Sequence, residues 1–381
     1  MRSLEWNYHI EELERMAGFV GLEKDEARGA LKYLKRVLGE EFLARASARE
    51  PCVARHPLLR LLANFAPCSR RDISRFADYL RVLEGSKNLE SALARLHNLS
   101  QFEHDALLIK AAAKLVSEGL RARFEPTRDV GDRRRQPDLR LEDPVTGEET
   151  FVEVTTQNWA KRERETTEAS SAISSAVFDI SYELCYTGRW QQTPTKQSLG
   201  DLVERVKVDG KRVLSERTIV HIEEPGILDM ALCHRDDRQR LLDPWSTEMD
   251  LLSGGFQGPV MKSNHTFRLR VKIGKEQVQL PSDTANVIVV LAGDVFLLAG
   301  GVGRVVSEVE AEVVKYDHVH LVVVHGEYVD DSEVAFAAHK EEYRYTRRVV
   351  EGTVENDLLL VNRHSRMKLS DSLFATFCRV F

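Results

Sequence analysis

The hydrophobic period changes near residue 101, and that change limits the fold more than any other feature of this 381-residue chain. Before it, apolar residues recur at helical spacing in IEELERMAGFVGL, EARGALKYLKRVLGEEFLARA, HPLLRLLANFA and SRRDISRFADYLRVLEG, so that one face of each segment is greasy. Gly85 suits the end of the last of these. Arg70, Arg71, Arg75 and Arg81 read as a solvated helix face. SQFEHDALLIKAAAKLVSEGL then makes an amphipathic helix, with Ser100 as its cap, Glu103 three residues on and Gly119 as its stop. After it the period falls to two.

The short runs LRARFEP, PDLRLED and TFVEVTT read as strands, with RDVGDRRRQ a basic loop and PVTGEE a turn. ASSAISSAVFDISYELCYTG and QSLGDLVERVKVDGKRVLSE are helical, and TIVHIEE is a buried strand. ANVIVVLAG and HVHLVVVHG add strands on either side of the helix-like GRVVSEVEAEVVKYD, and a terminal helix packs back at the end. Residues 225–285, with Gly254, Gly255, Gly258 and Pro259, read as an irregular insertion. The expectation is an α-helical domain over 1–100 and an α/β domain over 101–381, a mixed sheet flanked by helices.

Composition narrows the class. The chain is 43% hydrophobic and 30% charged, as globular domains are. Its net charge of −6 announces no nucleic-acid binder, so such a function must rest on a local site. The five cysteines (Cys52, Cys68, Cys185, Cys233, Cys378) contain no C-x-x-C pair, which argues against a zinc knot and a disulfide framework. The start lacks an apolar signal region, and the run at 287–303 is broken by Asp294 and glycines. A reduced, cytoplasmic protein without a membrane span is expected.

The chemistry concentrates in QPDLRLEDPVTGEETFVEVTTQNW, residues 136–159. On the third strand Phe151, Glu153, Thr155 and Gln157 share a face, with Val152 and Val154 on the other. A carboxylate between two valines is expensive to bury unless it is paired or binds a metal. If PVTGEE closes a hairpin, Asp138 and Glu153 come to one cleft, and such oxygens suit Mg²⁺. Glu103, in the first turn of the preceding helix, offers a third carboxylate.

Pro137-Asp138, Glu153 in FVEVT and Glu103 on the helix ahead resemble the PD-(D/E)xK nuclease superfamily. The resemblance spans about 103–222 and implies a restriction-endonuclease-like core and metal-dependent hydrolysis of DNA phosphodiesters, in restriction, phage defence or repair. It implies Asp138, Glu153 and Glu103 as ligands of Mg²⁺ (or Mn²⁺). Thr155 stands where the family has its catalytic lysine. Gln157, which points the same way as Glu153, and Lys161, just past the strand, are candidate substitutes; Lys110, Lys114, Lys207 and Lys211 are further ones. Arg128, Arg133, Arg134 and Arg135 are expected to grip phosphates. DNA is the expected partner, RNA is left open, and a homodimer is compatible with paired cuts. The alternative is a nuclease-like binding or scaffolding module without catalysis.

Other signals read as structural. Both histidines of Asp317-His318-Val319-His320 face one way, but no further ligand follows at metal spacing. LLAGGVGR lacks the lysine of a phosphate-binding loop and reads as a turn before a helix. No G-x-S-x-G elbow occurs. Trp159, Trp190 and Trp245 read as packing residues.

Overall fold

Helical spacing in the first hundred residues yields α1 (Trp6–Arg15), α2 (Leu22–Leu38), α3 (Phe42–Ala48), α4 (Pro57–Ala63), α5 (Pro67–Val82) and α6 (Leu89–Arg95). Proline opens α4 and α5, where its missing N–H costs nothing and its fixed φ suits the helix. The computed structural model describes residues 5–15, 22–48, 56–63, 67–126, 128–130, 133–157, 161–181, 183–251, 255–258, 265–292, 301–329, 336–339, 343–350 and 353–381. Among these, no helix is long and apolar enough to cross a membrane. Arg70 departs from the solvated face expected of it: it is buried and donates to the Leu62 carbonyl at 3.0 Å.

The next helix, α7 (Leu99–Ser117), starts two residues earlier than a Ser100 cap requires. Asn98 is the cap, its side-chain oxygen accepting from the Ser100 N–H at 3.1 Å. Gly119, at φ +99°, ends the helix. Its N–H bonds Val116 O and that of Leu120 bonds Leu115 O, a Schellman closure that only a residue tolerant of positive φ accommodates cheaply.

The strands follow: β1 (Arg121–Phe124), β2 (Arg128–Val130), β3 (Arg133–Arg135), β4 (Leu139–Glu142) and β5 (Glu149–Thr156). Next come α8 (Lys161–Ile180), β6 (Leu184–Trp190), α9 (Lys196–Glu216), β7 (Val220–Glu224), β8 (Leu228–His234), α10 (Arg238–Glu248) and β9 (Gly255–Gln257). The rest comprises α11 (His265–Glu276), β10 (Asn286–Leu291), α12 (Val302–Val313), β11 (Val319–Val329), β12 (Phe336–His339), β13 (Tyr343–Val350), β14 (Thr353–Val361) and α13 (Asp371–Val380).

Two compact units result: residues 1–157 with 264–381, and residues 158–263. The first holds an eight-stranded mixed sheet in the order β1-β4-β5-β10-β11-β14-β13-β12. Strands β5, β10 and β11 are parallel and the other pairs antiparallel. Val152, Val154, Val287, Val289, Leu321 and Val323 face the helices of the first 117 residues and α13. Phe151, Ile288, Val290, Val322 and Val324 face Leu269 and Ile273 of α11 and Val305, Val309 and Val313 of α12. Burial on both faces explains the uninterrupted apolar runs of β10 and β11. The boundary expected near residue 100 coincides with no break, because helices from Trp6 onward share a continuous core with the sheet.

The second unit has its own four-stranded sheet, β7-β8-β6-β9. Ala169, Ile173 and Val177 of α8 and Leu202, Val206 and Val213 of α9 pack on Trp190, Ile222, Met230 and Leu232. Trp190 is therefore core, its indole N–H bonded to Ser170 Oγ at 2.8 Å. The strand expected at TIVHIEE exists as β7 but belongs to this sheet, not to the one that carries Glu153. The parallel neighbour of β5 is β10, reached only after the second unit and α11. Residues 103–222 thus do not form one unit: the chain leaves the larger sheet after β5 and returns to it with α11 and β10.

Candidate functional site

The hairpin β4–β5 pairs Leu139 with Val152, which sets Asp138 opposite Glu153, and cross-strand partners share a face. Asp138 Oδ2 accepts the Val154 N–H at 2.8 Å. The carbonyl of Asp138 accepts the Glu125 N–H at 2.8 Å. Backbone bonds on both sides therefore hold Asp138 at the entry of its strand.

Glu153 is 7% exposed, and its Oε2 has no hydrogen-bond partner. Burial, then the charges of Asp138 and Glu276, push its carboxyl up to about 10. A backbone hydrogen bond from Asp138 and the charge of His104 offset only part of this. A buried carboxyl with an orphaned oxygen loses hydration without compensation.

Helix α7 meets this pair through His104. Its Nε2 is 3.4 Å from Asp138 Oδ2 and its Nδ1 is 3.3 Å from Asp105 Oδ1. Burial alone lowers an imidazole pKa, but hydrogen bonds to Asp105 and Asp138 and their charges raise it to about 10. Asp105 is fully buried and gripped by Arg95, with Nη2 at 2.7 Å and Nε at 3.1 Å; Arg95 also pairs with Glu125. His104 is therefore a fixed imidazolium beside Asp138. Glu103 is exposed on α7, so the side chain that this helix brings to Asp138 is His104, not the acid before it.

Thr155 is buried, and its hydroxyl donates to Glu276 Oε1 at 3.0 Å. Lys272 Nζ lies 3.0 Å from that same oxygen. Lys272 and Glu276 are one turn apart on α11, the spacing at which helical side chains meet. A cation and a third acid thus stand beside Thr155. Gln157 donates its side-chain amide to the His265 carbonyl at 2.9 Å and its N–H to Leu291 O at 2.7 Å, so it ties the start of α11 to the end of β5.

The other expected residues fall elsewhere. Lys110 and Lys114 both pair with Glu355, at 2.9 and 3.1 Å, and Lys110 Nζ lies 3.2 Å from His325 Nε2. Burial, then Lys114, lowers Lys110 to about 8. Although burial works the other way, the two lysines hold the Glu355 carboxyl well below the usual range. Lys207 and Lys211 lie on α9 of the second unit, and the side chain of Lys161 is outside the described residues. Arg128, Arg133, Arg134 and Arg135 form the backbone of the antiparallel hairpin β2–β3, Arg128 opposite Arg135. Their side chains lie outside the description, as does Trp159. His318 bonds Gln277 O and His320 accepts the Leu369 N–H, so the two histidines have separate structural roles.

Three residues escaped the sequence pattern: His104, Lys272 and Glu276. His104 is masked by the acid next to it, and Lys272 and Glu276 sit in the stretch that read as insertion. Their only signal was i, i+4 spacing, which marks any solvated helix.

Among the described residues no group of three or more His, Cys, Asp or Glu side chains is arranged to hold a metal ion. The pair Asp138 and Glu153 nonetheless presents hard oxygen donors with one orphaned oxygen. That donor set fits an ion that keeps much of its water, as Mg²⁺ does. No protein-family model matches the chain. No curated protein and no solved structure matches it.

Proposed function

We propose that this chain is a metal-dependent nuclease that hydrolyses DNA phosphodiester bonds at Asp138 and Glu153. One observation carries the reading: Glu153 is buried with an unpartnered oxygen directly across the sheet from Asp138. A carboxyl in that position is a liability without a cation. Support also comes from element order. Helix α7, strands β1, β4 and β5, helix α11 and the parallel strand β10 follow the helix, three strands, helix, strand pattern of the restriction-endonuclease-like core.

Asp138 and Glu153 would hold Mg²⁺ or Mn²⁺, which would supply Lewis-acid charge for phosphodiester hydrolysis. The protein's own residues do the rest. The Val154 N–H fixes one oxygen of Asp138, leaving the carboxylate oriented without a rotamer search. His104, anchored by Asp105 and Arg95, keeps positive charge at the edge of the site, where a phosphodiester gathers negative charge. Lys272 takes the part of the absent motif lysine, with Thr155 and Lys272 both bound to Glu276 Oε1. The arginine hairpin β2–β3, three residues before Asp138, is the candidate phosphate grip. RNA hydrolysis and a role in restriction, phage defence or repair belong to the same proposal.

A binding or scaffolding module without catalysis is the second reading. It is favoured by Thr155 itself, whose hydroxyl cannot carry the lysine's charge. The deciding experiment offers linear, supercoiled, branched and single-stranded DNA, and RNA, to wild type and to Asp138→Asn/Glu153→Gln, with Mg²⁺, Mn²⁺ or EDTA. Metal-dependent cutting that vanishes in the double variant supports the nuclease. Equal salt-sensitive binding by both proteins without cutting favours the module.

A further inference from the structure

Cys185 on β6 and Cys233 on β8 are 48 residues apart, yet the antiparallel register makes them cross-strand partners. Their Sγ atoms lie 3.3 Å apart. Both are free thiols, and Cys233 Sγ donates to the His234 carbonyl at 3.3 Å. Facing residues of an antiparallel pair have Cα atoms about 4.5–5.5 Å apart, inside the span that a disulfide bridges. The two sulfurs need to close by only about 1 Å to bond.

The thiols differ in access. Cys233 is fully buried. Cys185 is half-buried and lines a cavity of about 370 Å³ together with Phe178, Leu184, Tyr186, Arg235 and Arg238. The hydrogen bond shared with Cys233 lowers the Cys185 pKa; burial and Asp243 oppose this, and Arg238 and Arg235 lower it further. The same bond, with burial, pushes Cys233 up. An accessible thiol of lowered pKa in front of a buried one is the division of labour of an attacking and a resolving cysteine. Arg235 and Arg238 line the cavity; Arg238 Nε also pairs with Asp243 at 3.2 Å, which offsets part of their pull on an anion.

We propose that Cys185 and Cys233 form a thiol–disulfide exchange site for an anionic low-molecular-weight disulfide, with Arg235 and Arg238 drawing it into the cavity beside Cys185. The Cys185 thiolate attacks one sulfur of R–S–S–R; a Cys185–SR bond forms and RS⁻ leaves. Cys233 then gives its proton to the departing thiolate and attacks the Cys185 sulfur, and the second RS⁻ leaves, to be protonated by the proton Cys185 first released. Two electrons pass from the protein to the disulfide. One R–S–S–R becomes two RSH, and the Cys185–Cys233 bond joins β6 to β8, the two central strands of the second unit's sheet.

The test uses the full chain and oxidised glutathione as the anionic probe, followed by intact mass and non-reducing peptide mapping. Wild type is expected to lose two hydrogens, retain no glutathione and yield a Cys185–Cys233 cross-linked peptide. Cys233→Ala, which keeps that position apolar, is expected to trap glutathione on Cys185. Replacing Arg235 and Arg238 by alanine should slow reaction with oxidised glutathione on the order of tenfold and reaction with neutral 2-hydroxyethyl disulfide by clearly less. Both reactions lose the arginines' effect on the Cys185 thiol, but only the anionic disulfide loses their attraction. Glutathione accumulating on wild-type Cys185 without the cross-link overturns the exchange site. So does a Cys185 that stays unmodified in both proteins. Equal slowing with the neutral disulfide overturns the role of the arginines.

Discussion

Asp138 Oδ2 takes the backbone N–H of Val154, the residue after Glu153, at 2.8 Å. One hydrogen bond thereby locks the register that sets the two carboxyl groups face to face. It also leaves the burden of Glu153's burial unrelieved, since the orphaned Oε2 belongs to the opposing side chain. The arrangement favours anything that brings positive charge between them.

Divalent cations should therefore stabilise the protein through Glu153. In thermal melts at pH 8, Mn²⁺ is expected to raise the Tm of wild type by several degrees and that of Glu153→Gln hardly at all. In EDTA at pH 8 the two proteins should melt close together, because a carboxyl pushed up to about 10 is already neutral there, as the amide is. Equal Mn²⁺ shifts in both proteins would remove Glu153 from the cation site.

Lys272 should matter to catalysis more than to folding. Lys272→Met keeps most of the stem's packing but removes the charge beside Glu276 and Thr155. Cleavage by this variant is expected to fall about 10²-fold in kcat, with KM little changed and the Tm close to wild type. Thr155→Val, which loses one hydroxyl, should have a smaller effect. A Lys272→Met enzyme that cuts at the wild-type rate places the compensating charge elsewhere.

Arg95 should matter to folding. Asp105 is fully buried and its carboxylate is held by Arg95 on one side and His104 on the other. Removing the guanidinium in Arg95→Ala leaves a buried charge half-paired, at a cost of about 3 kcal/mol. Urea unfolding measures it directly. Asp105→Asn combined with Arg95→Ala should recover part of the loss, since the orphaned charge is then gone.

Acid should act against the fold through three buried histidines. Burial pushes the pKa of His56, His320 and His325 down; for His325, Asp357 opposes this while Lys110 and Lys114 add to it. The unfolded imidazoles titrate near 6.5, so below that pH the unfolded chain binds protons that the folded chain refuses. The contribution of these three histidines is full above about 6.5 and falls as pH drops toward their lowered folded values, while the raised Glu153 and His104 work in the opposite direction. Chemical denaturation of wild type and His325→Gln between pH 7.5 and 5 isolates the His325 contribution: the wild type should lose more stability than the variant as the pH falls below about 6.5.

Gly188 in β6 tolerates no side chain. A Cβ there would lie 2.6 Å from Met230 Cβ and 2.9 Å from the Asp229 carbonyl oxygen. The obstacle is backbone and the stem of a buried residue, so Gly188→Ala should cost about 1–3 kcal/mol. Proteolytic protection of the second unit, read apart from the first, should report it.

Local pattern carried a good deal of this. Helical spacing located α2, α5 and α7, and positive φ at Gly85 and Gly119 agrees with glycines read as stops. Period-two alternation in TFVEVTT put Glu153 and Thr155 on one face, and the turn between β4 and β5 brought Asp138 across from Glu153. All of these depend on residues within about twenty positions of one another, where chain stiffness and hydrogen bonding leave few alternatives.

What lies beyond that range was decided by the tertiary structure. TIVHIEE and NVIVVL are both apolar, β-branched strands, and nothing in either says which is to lie beside β5. The choice of β10 buries Ile288 and Val290 against α11 while β7 closes the separate core around Trp190. That choice delivers Lys272 and Glu276 to Thr155 from more than a hundred residues away. Pairing of parallel strands has no turn to dictate it, and a helix face acquires a partner only when the sheet beneath it is complete. The amino-acid order alone therefore determined two carboxylates on a hairpin; only the packed fold determined the imidazolium and the lysine that surround them.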